Sequence, residues 1–246
     1  MSVAIVYKVI WFSKIYKNWK VWNYMILSSG SDVVNEVLKG GYDRDIINTI
    51  YGPAGSGKTL LCLLAMIEAV NEGKKVVYMD TEGGFSVERL KQLSEDYSKI
   101  LEQTVFLRPV TFEEQKDSFE KLRGLVNERI GLIVVDTISM LYRLEMGKTE
   151  DVYEVNKALG QQLGFLNEIA RNNQIPVLVT NQVYADFENK DNVKIVGGDL
   201  LKYGSKCMIE LQNGKNGVRN FILRKHRSVG PKEVVFKIVE KGLEKV

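Results

Sequence analysis

Residues 51–61, YGPAGSGKTLL, set three glycines, a proline, a lysine and a threonine directly against an apolar run. From Gly52 the stretch spells G-x-x-x-x-G-K-T, and its flanks decide what the spelling means. DIINTIYG before it reads as a buried strand, and KTLLCLLAMIEAVNEG after it as a helix apolar nearly all round and closed by Gly73. A glycine-rich turn between strand and helix is the setting that a phosphate-binding P-loop requires. Glycines permit backbone conformations in which successive N–H groups point inward around phosphate oxygens, and the helix N-terminus adds partial positive charge. Gly52, Pro53, Ala54, Gly55, Ser56, Gly57, Lys58, Thr59 and Leu60 are therefore candidate nucleotide contacts. Lys58 is placed to reach the β- and γ-phosphates of a nucleotide, and the Thr59 hydroxyl to ligate Mg²⁺. The plainer alternative is a turn that only joins strand to helix.

Outward from that loop the chain alternates the two element types. KKVVYMD, TVFLRPV, GLIVVD and IPVLVT read as strands. SVERLKQLSEDY, TFEEQKDSFEKLRGLVNER and the segment near DVYEVNKALGQQLGFLNEIARN read as helices, with Thr111 and Glu114 forming a capping-box pattern. Strands this apolar, separated by helices, predict an α/β fold with a mostly parallel central sheet covered on both faces. Beyond residue 205, SKCMIELQ, the turn NGKNG, VRNFILRKH and EVVFKIVE predict antiparallel hairpin strands added at one edge near the C-terminus.

Three polar residues fall where such a sheet gathers its ligands, just past the carboxyl ends of strands. Asp136 ends LIVVD, where a carboxylate would face the Mg²⁺ site; otherwise it only opens a turn. Glu82, in DTEGG, is placed to orient and deprotonate an attacking water, or is a solvated loop acid. Gln182, after VLVT, carries an amide able to report a γ-phosphate to the segment behind it, or simply closes the strand end.

Composition sets the remaining bounds. With 246 residues, 45% of them hydrophobic, the chain can bury one good core. Cys62 and Cys207 lie far apart inside apolar segments, which fits neither a disulfide framework nor a zinc site. The sequence lacks a membrane-spanning run and a signal-like N-terminus, so a cytoplasmic protein with no membrane partner is expected. The net charge of +3 is concentrated at the start: residues 1–24 hold Lys8, Lys14, Lys17 and Lys20 with no acid, together with Trp11, Trp19 and Trp22. This composition break separates an extension, 1–24, from a domain, 25–246. The extension reads as an interfacial anchoring helix, as an oligomer or partner arm, or as a consequence of start-site choice, with Met25 as the working start.

These residues together resemble the RecA/RadA recombinase family, most closely its short archaeal RadB branch. The resemblance runs from about Met25 to Val246 and rests on LSSGSDVVNEVLKGGYDRDIINTIYGPAGSGKT, YMDTEGGFSVERL, LIVVDTIS, TNQV and VGGDLLKYGS. It implies a RecA-like ATPase core using ATP and Mg²⁺, with Glu82 as catalytic acid, Gln182 as sensor, Lys58 in the chemistry and Arg89 stacking on adenine. It also implies that loops at about 138–150 and 183–198 approach single-stranded DNA. Arg143, Lys148, Lys190 and Lys194 would then contact phosphates, and Tyr184 or Phe187 would stack on bases. Acidic residues, Glu145, Glu150, Asp186, Glu188 and Asp191, nearly balance those charges.

A denser basic cluster is RKHRS, Arg224 to Ser228, where Lys225, His226 and Arg227 resemble a KHR element of the RadB branch. It reads as a DNA-phosphate contact with His226 titrating near neutrality, as a contact to nucleotide across a subunit interface, or as an exposed turn. Residues 1–24 are too few to encode the helical DNA-binding domain of RadA, and they lack a Phe-x-x-Ala pattern, which argues against continuous filaments. The expected function is a weak, DNA-dependent ATPase in homologous recombination and repair that assists a RadA-type recombinase or another repair protein. The alternatives are an ATP-gated scaffold and a KaiC-like signalling ATPase.

Overall fold

The structure, a computed structural model, describes residues 25–185 and 193–246, with the side chains of residues 185, 193 and 194 also left aside. Expectations placed on residues 1–24, on Phe187 and on Lys190 lie outside the described residues. The strands are β1 (Ile26–Leu27), β2 (Tyr42–Asp43), β3 (Ile47–Tyr51), β4 (Lys75–Asp80), β5 (Thr104–Leu107), β6 (Ile130–Asp136), β7 (Val177–Asn181), β8 (Val183–Ala185), β9 (Val193–Ile195), β10 (Cys207–Asn213), β11 (Val218–Lys225), β12 (Lys232–Val239) and β13 (Gly242–Lys245). The helices are α1 (Asp32–Leu38), α2 (Lys58–Asn71), α3 (Val87–Leu93), α4 (Tyr97–Glu102), α5 (Phe112–Leu125), α6 (Met140–Met146), α7 (Val152–Asn173) and α8 (Gly198–Gly204).

Nine strands form one sheet in the order β13-β12-β11-β10-β3-β7-β6-β4-β5. From β5 to β10 every pairing is parallel, and from β10 to β13 every pairing is antiparallel. The expected edge hairpin is there, but its first strand, β10, belongs to both halves: it pairs parallel with β3 and antiparallel with β11.

Side chains alternate across the parallel strands and fill a core on each face. Val76, Tyr78, Leu132 and Val134 join Leu61, Leu63 and Met66 of α2, Val34 of α1 and Leu90 of α3 on one side. Val77, Met79, Ile133 and Val135 join Phe119 and Leu122 of α5 and Leu159 and Leu166 of α7 on the other. Strands flanked by helices on both faces are buried throughout, which is why their sequences are apolar runs rather than alternating ones.

Two local expectations change. The single helix expected over SVERLKQLSEDY is two, because Ser94 turns extended (φ −149°, ψ 133°) and its hydroxyl accepts the Asp96 N–H at 3.2 Å. The expected loop 138–150 contains α6, because Leu141 and Tyr142 are buried in the second core.

Candidate nucleotide site

β3 ends at Tyr51 and α2 begins at Lys58, so the glycine-rich loop spans that gap at the carboxyl end of the parallel strands. Gly52 tolerates no side chain: a Cβ there would lie 2.3 Å from the Leu211 carbonyl oxygen. Gly57, the N-cap of α2, sits at φ 107° with Ile238 of β12 against it, a conformation that only glycine adopts easily. The antiparallel extension therefore lies directly behind the loop.

Lys58 is buried and its ammonium donates to the carbonyls of Gly52 and Pro53, both at 2.9 Å. Burial pulls its pKa below the ordinary lysine value, opposed by the carboxylates of Glu82 and Asp136. Thr59 Oγ1 donates to Asp136 Oδ2 at 2.8 Å, which also accepts from Tyr78 OH at 2.9 Å, while Thr180 holds Asp136 Oδ1. The expected pair of Mg²⁺ contacts is thus already joined, and Asp136 is held by partners from α2, β4 and β7.

Glu82 is exposed, and its Oε1 accepts from Gln182 Nε2 at 2.7 Å and from Thr137 Oγ1 at 3.0 Å. Two residues read separately from the sequence are in direct contact. Asp80 sets the loop that carries Glu82: its carboxylate accepts the N–H groups of Gly84 and Phe85 at 3.1 and 3.2 Å. A Cβ on Gly84 would sit 3.9 Å from Thr59 Oγ1, so this loop closes against the start of α2. Thr81 and Thr137 tie the two strand ends together, with Thr137 N–H donating to Thr81 Oγ1 at 2.9 Å and Thr81 Oγ1 donating to the Thr137 carbonyl at 2.7 Å. On its far side Glu82 lines a cavity of about 390 Å³ shared with Arg108, Val110 and Met140, beside the P-loop rather than over it.

Arg89 does not stand free. Its guanidinium donates to the carbonyls of Val239 (2.7 Å) and Glu240 (2.9 Å) at the β12–β13 turn, and to Gln92 Oε1 at 2.6 Å. Leu60 faces the core. Ser56 Oγ is buried without a partner beneath the loop, a donor set aside from the protein's own hydrogen bonds. The orphaned hydroxyl, the glycine cradle and the Thr59–Asp136 pair fit a Mg²⁺-bound nucleoside triphosphate. Lys58 would hold its phosphates and Thr59 its cation, with Asp136 behind Thr59.

The candidate DNA residues are scattered. Arg143 is exposed on α6 and Tyr184 is exposed on β8. Lys194 lies in β9, which pairs with β8 as a two-stranded hairpin behind Gln182. RKHRS sits at the other end of the sheet: Lys225 pairs with Met208 at the start of β10, far along that strand from the end that meets the P-loop. Its side chains are engaged. Lys225 Nζ donates to the Lys202 and Ser205 carbonyls at 2.6 and 2.8 Å, closing the C-terminal end of α8. Arg227 bridges Asp43 at 2.9 Å and Asp45 at 2.6 Å, and Arg224 bridges Glu210 at 2.7 Å.

His226 Nδ1 accepts the N–H groups of Ser228 and Val229, both at 3.2 Å, and Nε2 lies 3.4 Å from Asp43 Oδ2. Burial lowers its pKa from 6.5, opposed by Asp43. The expectation that His226 charges near neutrality is therefore moved to lower pH, because burial and the two backbone N–H groups that Nδ1 accepts disfavour the charged ring.

Sequence reasoning missed Asp80, Thr137 and Thr180, whose roles depend on strand pairing rather than on a motif. It also missed Asn213, whose side-chain amide reaches the Ala54 carbonyl at 3.2 Å, and Arg219, whose guanidinium reaches the Gly55 carbonyl at 3.2 Å. The turn NGKNG, which Asn213 opens and which ends two residues before Arg219, was the one available signal.

A P-loop after the first strand of a parallel sheet, a carboxylate at the end of β6 and a glutamate beyond β4 define the class: a RecA-like P-loop ATPase core with an antiparallel edge. Residues 21–246 match the protein family described as Rad51, and the chain belongs to that family. It is 42% identical over 214 residues to the DNA repair and recombination protein RadB of Methanocaldococcus jannaschii, covering 86% of this chain and 99% of that one. It is 39% identical over 218 residues to the protein of the same description from Methanobrevibacter smithii, covering 85% and 92%. A crystal structure described as the RadB recombinase superposes with a TM-score of 0.78 at 35% identity, over 90% of this chain and all of that one.

Proposed function

We propose that this protein is an ATP- and DNA-binding recombinase paralogue acting in homologous recombination and DNA repair, where it assists a RadA-type recombinase and hydrolyses ATP slowly. The names of its relatives support the recombination and repair role. One contact carries the coupling of nucleotide to DNA: the 2.7 Å hydrogen bond from Gln182 to Glu82. Gln182 leads straight into the β8–β9 hairpin, so the group facing the phosphate site is mechanically continuous with a candidate DNA surface.

Bound Mg²⁺–ATP supplies the phosphoanhydride bond to be broken. Lys58 neutralises charge on the phosphates, and the ordered loop N–H groups fix their position. Glu82 orients a water and takes its proton on the carboxylate. While Thr137 and Gln182 both donate to one Glu82 oxygen, that oxygen is occupied and less open to a water, which favours slow turnover. With nucleotide bound, a Gln182 amide drawn to the γ-phosphate would free the Glu82 carboxylate and pull on β8, which follows it in sequence.

The test is single-stranded DNA affinity, by fluorescence anisotropy, with and without ATP. Gln182→Ala is expected to erase the ATP dependence while leaving ATP affinity in place. DNA binding that ignores ATP in the parent protein would overturn the coupling and favour an ATP-gated protein scaffold or signalling ATPase.

A further inference from the structure

A P-loop works only if its peptide planes are turned the right way, and in this chain the turning force comes from the C-terminal hairpin. The Ala54 carbonyl accepts from Asn213 Nδ2 at 3.2 Å, and the Gly55 carbonyl accepts from Arg219 Nε and Nη2, both at 3.2 Å. Arg219 Nη1 is itself fixed by the Gly217 carbonyl at 2.8 Å. A trans peptide sets its C=O and N–H in opposite directions. Holding the Ala54 oxygen outward on Asn213 therefore aims the Gly55 N–H inward. Holding the Gly55 oxygen outward on Arg219 turns the Ser56 N–H back into the loop, where the Pro53 carbonyl meets it at 3.3 Å.

Gly55 has φ 71° and nothing within 4 Å of where a Cβ would stand, and it and Ala54 are exposed, so the loop tip is not held by burial. These two side chains supply the holding from more than 150 residues away in sequence.

We infer that Asn213 and Arg219 are positioning residues that brace the P-loop in its phosphate-accepting conformation, so that nucleotide affinity is set from the β10–β11 hairpin. This rests on the nucleotide reading above and extends it to residues outside the motif. The two act on the resting loop and touch the polyphosphate only through it. Their removal weakens ATP and ADP alike, raises KM and leaves kcat unchanged.

The experiment titrates the full chain with fluorescent ATP and ADP analogues and follows hydrogen exchange of residues 52–57 without nucleotide. Arg219→Ala should weaken both nucleotides about tenfold, Asn213→Ala about threefold, and Arg219→Lys should recover part of the loss. Exchange in the loop should quicken in both alanine variants while the melting temperature holds. Lys58→Ala is run in parallel. If it loses nucleotide while Arg219→Ala binds like the parent, the brace is overturned and the nucleotide site stands. If the parent binds neither nucleotide, both fall. Loss confined to ATP would overturn bracing in favour of a direct γ-phosphate contact by Arg219.

Discussion

At the scale of the residue, Lys58 and Glu82 separate binding from chemistry. Lys58 is the buried cation whose internal partners are two loop carbonyls, so Lys58→Ala should remove most of the ATP affinity measured by isothermal titration. Glu82→Gln keeps a hydrogen-bonding side chain for Thr137 and Gln182 but removes the proton acceptor. It should bind ATP normally and release no phosphate.

His226 makes a prediction of opposite character. Its folded pKa lies below the unfolded value near 6.5, so the unfolded chain takes up the proton first as pH falls. The histidine's contribution to stability is present above pH 6.5 and is lost as pH drops through the folded pKa, with a slope of at most about 1.4 kcal/mol per pH unit. Melting temperatures between pH 7.5 and 5 should fall more steeply in the parent than in His226→Gln. The groups facing the ring are Asp43, Arg227 and Lys39, and equal slopes in both proteins would overturn the lowered folded pKa.

At the scale of the element, helix ends and hairpins decide what can be read in advance. Thr111 caps α5 by accepting the Glu114 N–H at 3.1 Å, and Glu114 returns a bond to the Val110 N–H at 2.9 Å. Thr111→Ala should cost about 1 kcal/mol in urea unfolding, with nucleotide binding unaltered. That cap was legible because all its partners lie within five residues, as was the P-loop between β3 and α2. The split of α3 from α4 was not, since one extended serine decides it, nor was α6, whose burial depends on α5 and α7.

The turn after β11 was legible as a basic cluster but not as a knot of internal bonds, because Asp43 and Asp45 arrive from the other end of the sequence. Replacing Lys225 and Arg227 together by alanine should lower the melting temperature. The salt dependence of single-strand binding should flatten by about 0.7 for each phosphate contact at Arg143 or Lys148 that is removed. A comparable flattening in the Lys225/Arg227 variant would assign the turn to DNA as well.

At the scale of the whole molecule, the sheet sorts its chemistry to one end. The P-loop, Asp136, Glu82, Gln182 and the β8–β9 hairpin gather at the carboxyl ends of the parallel strands, while the Lys225–Arg227 turn lies at the opposite end. The order of strands, and so this separation, followed from no single segment; it required knowing that β10 inserts beside β3. Among the described residues no helix is long and apolar enough to cross a membrane, and Cys62 and Cys207 are buried free thiols. The composition breaks at residue 24, so the chain from Met25 onward should melt and bind ATP like the full protein, a comparison that thermal denaturation decides.

The placement of β10 to β12 behind the P-loop also sets an order of events at the ribosome. Gly52 rests on Leu211, the loop tip on Asn213 and Arg219, and Gly57 on Ile238, so a nascent chain that has emerged only to residue 205 carries the whole motif but none of its backing. The phosphate site is thus assembled from residues far apart in synthesis, and the loop meets its backing only once β10 to β12 have joined the sheet.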